Sequence, residues 1–301
     1  MKCLVTGGAG FIGSNLVNKL IKDGHDVVIV DDLSTGKKDN IHPKAEAWIV
    51  DISDVNEYWD EIFDNIDVVF HTAAKARVQP SIKNPMEFNN VNVSGTLNML
   101  KCCVDYGVSR FIYSSSSSVY GNVEQLPTPE EHKLNPMSPY ALQKLIGEQY
   151  CKLYSELHGL ETVCLRYFNV YGDGMSLEGA YKLVIPIFTD QMLRGAPMTI
   201  RGNGEQRRDF TYVGDVVDAN IKCATNLGVE FNGEVFNIGN GDNRSVNQIA
   251  TMMGGSRMHV EPVIEPKETL ADNSKAKKVL GWKTTMKIED WIETYKEKMG
   301  I

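Results

Sequence analysis

Up to about residue 166 the apolar positions fall into short β-branched runs, each followed by a turn and a longer stretch with an apolar residue every three or four positions. The runs Cys3–Thr6, Val27–Asp31, Ala47–Val50, Val68–His71, Phe111–Ser114 and Thr162–Arg166 read as strands, and the stretches 12–23, 55–63, 88–106 and 140–158 read as helices. Strands alternating with helices through right-handed crossovers predict a doubly wound parallel sheet. After Asn169 the rhythm loosens. Turn signals at Gly172-Asp173-Gly174, Gly202-Asn203-Gly204 and Gly239-Asn240-Gly241 separate shorter elements and predict a second lobe. Phe210–Val213 and Val235–Ile238 keep strand character and are expected to return to the first sheet. The expected architecture is therefore α/β: a Rossmann-like doubly wound parallel sheet in 1–168, rejoined by 210–238, and a smaller C-terminal substrate-binding lobe in 169–301.

Length and composition narrow the function. A chain of 301 residues, 42% hydrophobic, can bury a large core, and a formal charge of −8 argues against general nucleic-acid binding. No run reaches the eighteen or so apolar residues of a membrane span, and Lys2–Thr6 follows no basic leader and apolar h-region, so a cytoplasmic protein is expected. The six cysteines, Cys3, Cys102, Cys103, Cys151, Cys164 and Cys223, form no C-x-x-C pair and read as buried structural thiols. The histidines have no ligand spacing, so no metal site is expected.

The first strand runs into Gly7-Gly8-Ala9-Gly10-Phe11-Ile12-Gly13 and then a helix. With 26 glycines in the chain, a chance G-x-x-G-x-x-G arises about 0.2 times. Its placement between strand and helix adds the physical argument, because backbone amides at a helix N-terminus can hold a pyrophosphate where side chains would block approach. Asp31 closes the second strand, where a carboxylate accepts hydrogen bonds from an adenosine ribose and favours NAD over NADP. Asp51-Ile52 is placed to flank the adenine. A tight strand–helix turn with a solvated Asp is the competing explanation.

Tyr140 and Lys144 lie four apart on a predicted helix, hence on one face, where an ammonium can lower a tyrosine's pKa and make it a usable base. That spacing is common by chance. Its context is the serine run Ser114–Ser118, which ends the fifth strand at the carboxyl edge of the sheet, where doubly wound folds bind ligands. The run also fits an ordinary polar exit from a strand.

Together the glycine turn, Asp31-Asp32-Leu33-Ser34, His71-Thr72-Ala73-Ala74, Ser114–Gly121, Tyr140-x-x-x-Lys144 and Arg166-Tyr167-Phe168-Asn169-Val170-Tyr171-Gly172 resemble the extended short-chain dehydrogenases/reductases, and within them the NAD-dependent epimerase/dehydratase family acting on sugar nucleotides. The resemblance continues through Gly202–Phe210, Phe236-Asn237-Ile238-Gly239 and Leu270-Ala271-Asp272-x-Ser274-Lys275-Ala276. It implies C4 epimerisation of a UDP-hexose through a 4-keto intermediate, with Tyr140 as base, Ser116 hydrogen-bonded to the same oxygen, and Lys144 on the nicotinamide ribose. It further implies NAD contacts from Gly7, Gly10, Phe11, Ile12, Gly13, Asp31, Asp32, Asp51, Ile52, Ala73, Ala74, Asn92, Ser114 and Tyr167, and substrate contacts from Asn169, Val184, Arg208 and Thr269. A homodimer built on the helices near 88–106 and 140–158 is implied as well.

Sugar-nucleotide 4,6-dehydratases carry an acid just after the catalytic hydroxyl residue. Here Ser117 and Ser118 follow Ser116, which favours epimerase over dehydratase. Thr269 stands where glucose-restricted 4-epimerases have a bulky Tyr, leaving room for an N-acetyl group, while the serine-rich motif also resembles UDP-glucuronate 4-epimerases. The family's second phosphate-binding Arg has no counterpart: Pro262 stands near its place, with Lys267 as the nearest substitute. A dehydratase, decarboxylase or reductase on this scaffold, and a non-catalytic NAD-binding regulator, are the competing readings.

Overall fold

Seven strands, β1 (Lys2–Thr6), β2 (Asp26–Val30), β3 (Glu46–Trp48), β4 (Val68–His71), β5 (Arg110–Ser116), β6 (Glu161–Tyr167) and β7 (Asn232–Ile238), pair in parallel in the order β7-β6-β5-β4-β1-β2-β3. The structure is a computed structural model and describes residues 1–54, 57–177, 183–226, 228–262 and 266–301. The strand order reverses between β1 and β4, which opens a crevice at their carboxyl ends.

Alternation along each strand sorts the side chains between two cores. Cys3, Val5, Val27, Ile29, Phe70, Ile112, Leu165 and Phe236 face one side, under α1 (Phe11–Lys22) and a later helix, Val213–Thr225. Leu4, Val28, Val30, Val69, Phe111, Tyr113 and Cys164 face the other, under α2 (Thr96–Asp105) and α3 (Pro139–His158). A third core draws on Tyr171, Ile185, Phe188, Phe210, Ile249, Trp291 and Tyr295. The six cysteines are free, and all but the half-buried Cys102 are buried.

Helix α3 carries Tyr140 and Lys144, and its ends follow from local sequence. Ser138 caps its start by accepting from Ala141 N at 3.2 Å, Pro139 fills the first turn, and Gly159 ends it in the left-handed conformation.

The sequence-based elements need four corrections. Helix 88–106 is not continuous: Pro85–Asn89 passes into a wider π-helical stretch, Asn90–Gly95, before α2 begins. That stretch brings Gly95 against Ile52, where a Cβ would lie 2.7 Å from the Ile52 side chain. Helix 55–63 shortens to Trp59–Ile62, with residues 55–56 outside those described. The strand read at Ala47–Val50 is Glu46–Trp48. Val235–Ile238 joins the sheet within β7, but Phe210–Val213 does not: β7 already occupies the edge of β6, so Thr211–Tyr212 pairs instead with Val170–Tyr171, and Val213 begins the next helix.

Candidate active site

The glycine turn lies at the strand-order reversal. Gly7 adopts φ +71° and donates to Val30 O at 2.7 Å, while Gly10 donates to Gly7 O at 3.0 Å and precedes α1. A Cβ on Gly13 would lie 2.1 Å from Gly7 O, and one on Gly7 would lie 2.7 Å from Ala73 N. Neither position has room for a side chain. No acidic residue occupies the first turn of α1 and no side chain caps it, so its free amides present a positive end. Phe11 stands beside Gly174, Asn15 Nδ2 donates to Asp173 O at 3.0 Å, and Ile12 packs on the first core.

Asp31 directly follows β2 and is almost fully buried. Ala9 N donates to its Oδ2 at 2.9 Å and Leu33 N to its Oδ1 at 2.8 Å. Burial raises its pKa and these two amides pull it back, so a carboxylate with spare lone pairs faces the turn. Asp32 is exposed and caps Ser34 at 2.9 Å, Asp51 caps Ser53 at 2.8 Å, and Ile52 is buried.

The end of β4 is held by an uncharged chain of hydrogen bonds. His71 Nδ1 meets Thr6 Oγ1 at 2.8 Å, His71 Nε2 meets Thr96 Oγ1 at 3.0 Å, Ala73 N donates to Thr6 Oγ1 at 3.2 Å, and Thr96 Oγ1 donates to Asn92 O at 2.7 Å. Buried Asn92 grips the loop that follows Ala73 and Ala74, accepting from Lys75 N at 2.8 Å and donating to Lys75 O at 2.9 Å. It also donates to Gln143 Oε1 at 2.9 Å. Its amide is thus occupied by the loop and by α3.

Ser116 ends β5, Tyr140 lies in the first turn of α3, and their side chains stand within hydrogen-bonding reach. Burial raises the Tyr140 pKa, and a hydrogen bond with Ser116 and the charge of Arg77 pull it down. The sequence assigns that lowering to Lys144; in the structure Arg77 is the cation whose charge bears on the phenol. Lys144 Nζ donates to Ser114 O at 2.8 Å and lies over the Tyr113 ring, 4.9 Å from its centroid, and burial pushes its pKa down to about 8. Arg77 precedes the helix Val78–Lys83 at φ +101°, a conformation strained for a side-chain-bearing residue, and Ser81 of that helix accepts from Tyr140 N at 3.1 Å. Ser116 Oγ also accepts from Ser118 N at 3.2 Å, and Ser114 Oγ meets Tyr167 OH at 3.1 Å within the core.

Beneath these residues, Glu148 and Arg166 form a buried ion pair with Nη2–Oε2 at 2.7 Å and Nε–Oε1 at 2.9 Å. Ser115 Oγ donates to Glu148 at 2.5 Å, and Arg166 Nη1 to Tyr120 OH at 2.8 Å. Glu148 lies four residues beyond Lys144 on the same helix, a spacing not read from the sequence.

The substrate candidates converge only in part. Asn169 Nδ2 donates to Asp209 O at 3.1 Å and to Thr269 Oγ1 at 3.4 Å, and Arg208, next to Asp209, donates from Nη1 to Arg207 O at 2.8 Å. Val184 opens the helix Val184–Leu193 and packs on the third core. Lys267 O accepts from Arg207 N at 2.9 Å, while 263–265 lie outside the described residues.

The crevice fits a dinucleotide: glycines no Cβ can replace, a helix N-terminus free of acids, and a carboxylate at the end of β2. Comparison with known proteins agrees. A model of the "NAD dependent epimerase/dehydratase family" matches residues 3–239. A putative UDP-glucose 4-epimerase of Methanocaldococcus jannaschii is 40% identical, over 96% of this chain and 95% of that protein. The crystal structure of Thermotoga maritima UDP-glucose 4-epimerase with UDP-glucose superposes with a TM-score of 0.93 at 38% identity, covering 99% of this chain and 100% of that one. A UDP-N-acetylglucosamine 4-epimerase of Methanobrevibacter ruminantium, in complex with UDP-N-acetylmuramic acid, superposes with a TM-score of 0.90 at 34% identity, covering 97% and 95%.

Proposed function

The chain belongs to the NAD-dependent epimerase/dehydratase family, and we propose that within it the protein interconverts C4 epimers of a UDP-linked hexose. The observation that carries this reading is the meeting of Ser116, Tyr140 and Lys144 at the carboxyl end of β5, on the same edge of the parallel sheet as the glycine turn. NAD, when bound, supplies a reversible hydride acceptor. Tyr140 removes the proton of the sugar 4-hydroxyl while Ser116 hydrogen-bonds the same oxygen. Lys144, anchored on Ser114 O, would hold the nicotinamide ribose and supply a positive charge there. The keto sugar then presents its other face, and Tyr140 returns the proton. Ser117 and Ser118 supply no acid for eliminating water, so the keto sugar is reduced rather than dehydrated.

In this reading 1–168 bind the cofactor and 169–301 mainly the sugar nucleotide, with Asn169 and Arg208 on the diphosphate and Val184 and Thr269 near the rest of the substrate. Thr269 is small and half-buried, which supports entry of an N-acetylated sugar. Exposed Leu142, Leu153 and Leu157 form an apolar stripe on one side of α3, which supports a homodimer through that helix.

The test is incubation of purified protein with UDP-GlcNAc, UDP-glucose and UDP-glucuronate in turn, following C4 epimers by NMR. Conversion of at least one, lost in Tyr140→Phe, is expected. No conversion of any, with NAD supplied, rules the reading out for these sugars.

A further inference from the structure

Asp209 lies beside the substrate candidates, fully buried, and the Tyr140 chemistry does not use it. Its carboxylate accepts from Asn240 N on Oδ1 at 2.7 Å and from Gly241 N and Ala271 N on Oδ2 at 3.0 and 2.9 Å. Its backbone donates to Thr269 Oγ1 at 3.2 Å and accepts from Asn169 Nδ2 at 3.1 Å. The short strand Arg207–Asp209 pairs with Asn243–Ser245, and Thr269 N donates to Arg207 O at 3.1 Å. One residue therefore ties 207–209, 239–241 and 269–271 together and touches both Asn169 and Thr269.

The packing leaves no slack. A Cβ on Gly239 would lie 2.9 Å from Asp209 Oδ2 and 2.4 Å from the Ala271 Cβ. Removal from water disfavours the ionised carboxylate, and three converging amides favour it. A negative charge beside a diphosphate also repels that ligand. Such a group lowers affinity through its charge and raises it only by organising its neighbours, so the two effects have opposite signs.

We propose that Asp209 is a positioning residue for the nucleotide end of the substrate, its carboxylate clamping three chain segments so that Arg208, Asn169 and Thr269 converge on one ligand. This rests on the UDP-hexose reading above. It deepens that reading by assigning the organisation of the nucleotide site to a buried carboxylate that makes no contact with the ligand.

The test compares wild type with Asp209→Asn, both purified with their bound NAD, using UDP as the probe in titration calorimetry at a fixed pH. The amide keeps the volume but sets N–H donors against backbone N–H groups. UDP binding about tenfold weaker is expected, with bound NAD per chain unchanged and the loss in turnover carried by KM rather than kcat. Equal or tighter UDP binding overturns the proposal and leaves the epimerase reading intact. No binding of UDP by the wild type overturns both. Should Asp209→Asn not fold, amide exchange on the wild type decides: the amides of Asn240, Gly241 and Ala271 slow together when UDP is added, and no change in them overturns the proposal.

Discussion

Lys144 reaches the Ser114 carbonyl, 2.8 Å from its Nζ, and is buried there. A free lysine keeps its proton to about pH 10.4 and Lys144 gives it up near pH 8, so between those values the unfolded chain holds a proton that the folded one does not. Stability from this group therefore rises with pH across that window. In nucleotide-stripped protein, the stability of wild type relative to Lys144→Met increases by roughly 2 kcal/mol between pH 7.5 and 10, measured by urea unfolding. A flat difference contradicts the burial assigned to this ammonium.

In the proposed epimerisation Tyr140 acts as base only after losing its proton, so turnover is expected to rise with pH through its pKa. Arg77 and Ser116 both hold that pKa down against burial. Arg77→Gln and Ser116→Ala each move the acid limb of the kcat/KM profile to higher pH, whereas Tyr140→Phe abolishes turnover by about 10²- to 10⁴-fold. An Arg77→Gln profile displaced only downward, with its limb in place, shows that Arg77 serves structure alone.

Gly13→Ala places a methyl 2.1 Å from Gly7 O, a backbone atom that cannot swing aside. The expected cost is about 3 kcal/mol, the upper end of overpacking, with loss of co-purifying NAD. Thermal unfolding together with the absorbance ratio at 260 and 280 nm reads both.

Glu148→Gln leaves the Arg166 guanidinium buried without its carboxylate. Removing one partner of a buried pair costs roughly 3–5 kcal/mol, while replacing both with apolar residues recovers much of it. Guanidinium unfolding of Glu148→Gln and of Glu148→Leu with Arg166→Met checks both halves.

What the sequence revealed is what local pattern encodes. The strand runs, the glycine turn and the helix bearing Tyr140 and Lys144 depend on residues within a turn or two of one another, and each stands close to its expected place. Arg77 could not be found that way, because its charge bears on Tyr140 across 63 positions of chain, read from their numbers. Asp209 was visible only as a member of a motif, since its partners lie in two later segments. Phe210–Val213 has strand composition and is still kept from the sheet, because β7 fills the edge it would need. The π-helical stretch depends on the close approach of Gly95 to Ile52, which no periodicity reports.

The chain of hydrogen bonds through His71 runs in one direction only. Thr96 gives its single hydroxyl hydrogen to Asn92 O, so it can only accept from His71; assigned from this network, the proton sits on Nε2, and Nδ1 accepts from Thr6, whose oxygen accepts from Ala73 N. Burial lowers the His71 pKa to about 3, so the imidazole stays neutral and the sequence of donors does not reverse near neutral pH. The rim of the crevice from Ala73 to Lys75 is therefore tethered at both ends by groups that carry no charge. Its conformational entropy is surrendered during folding, and a ligand arriving at this edge meets a surface already set in shape.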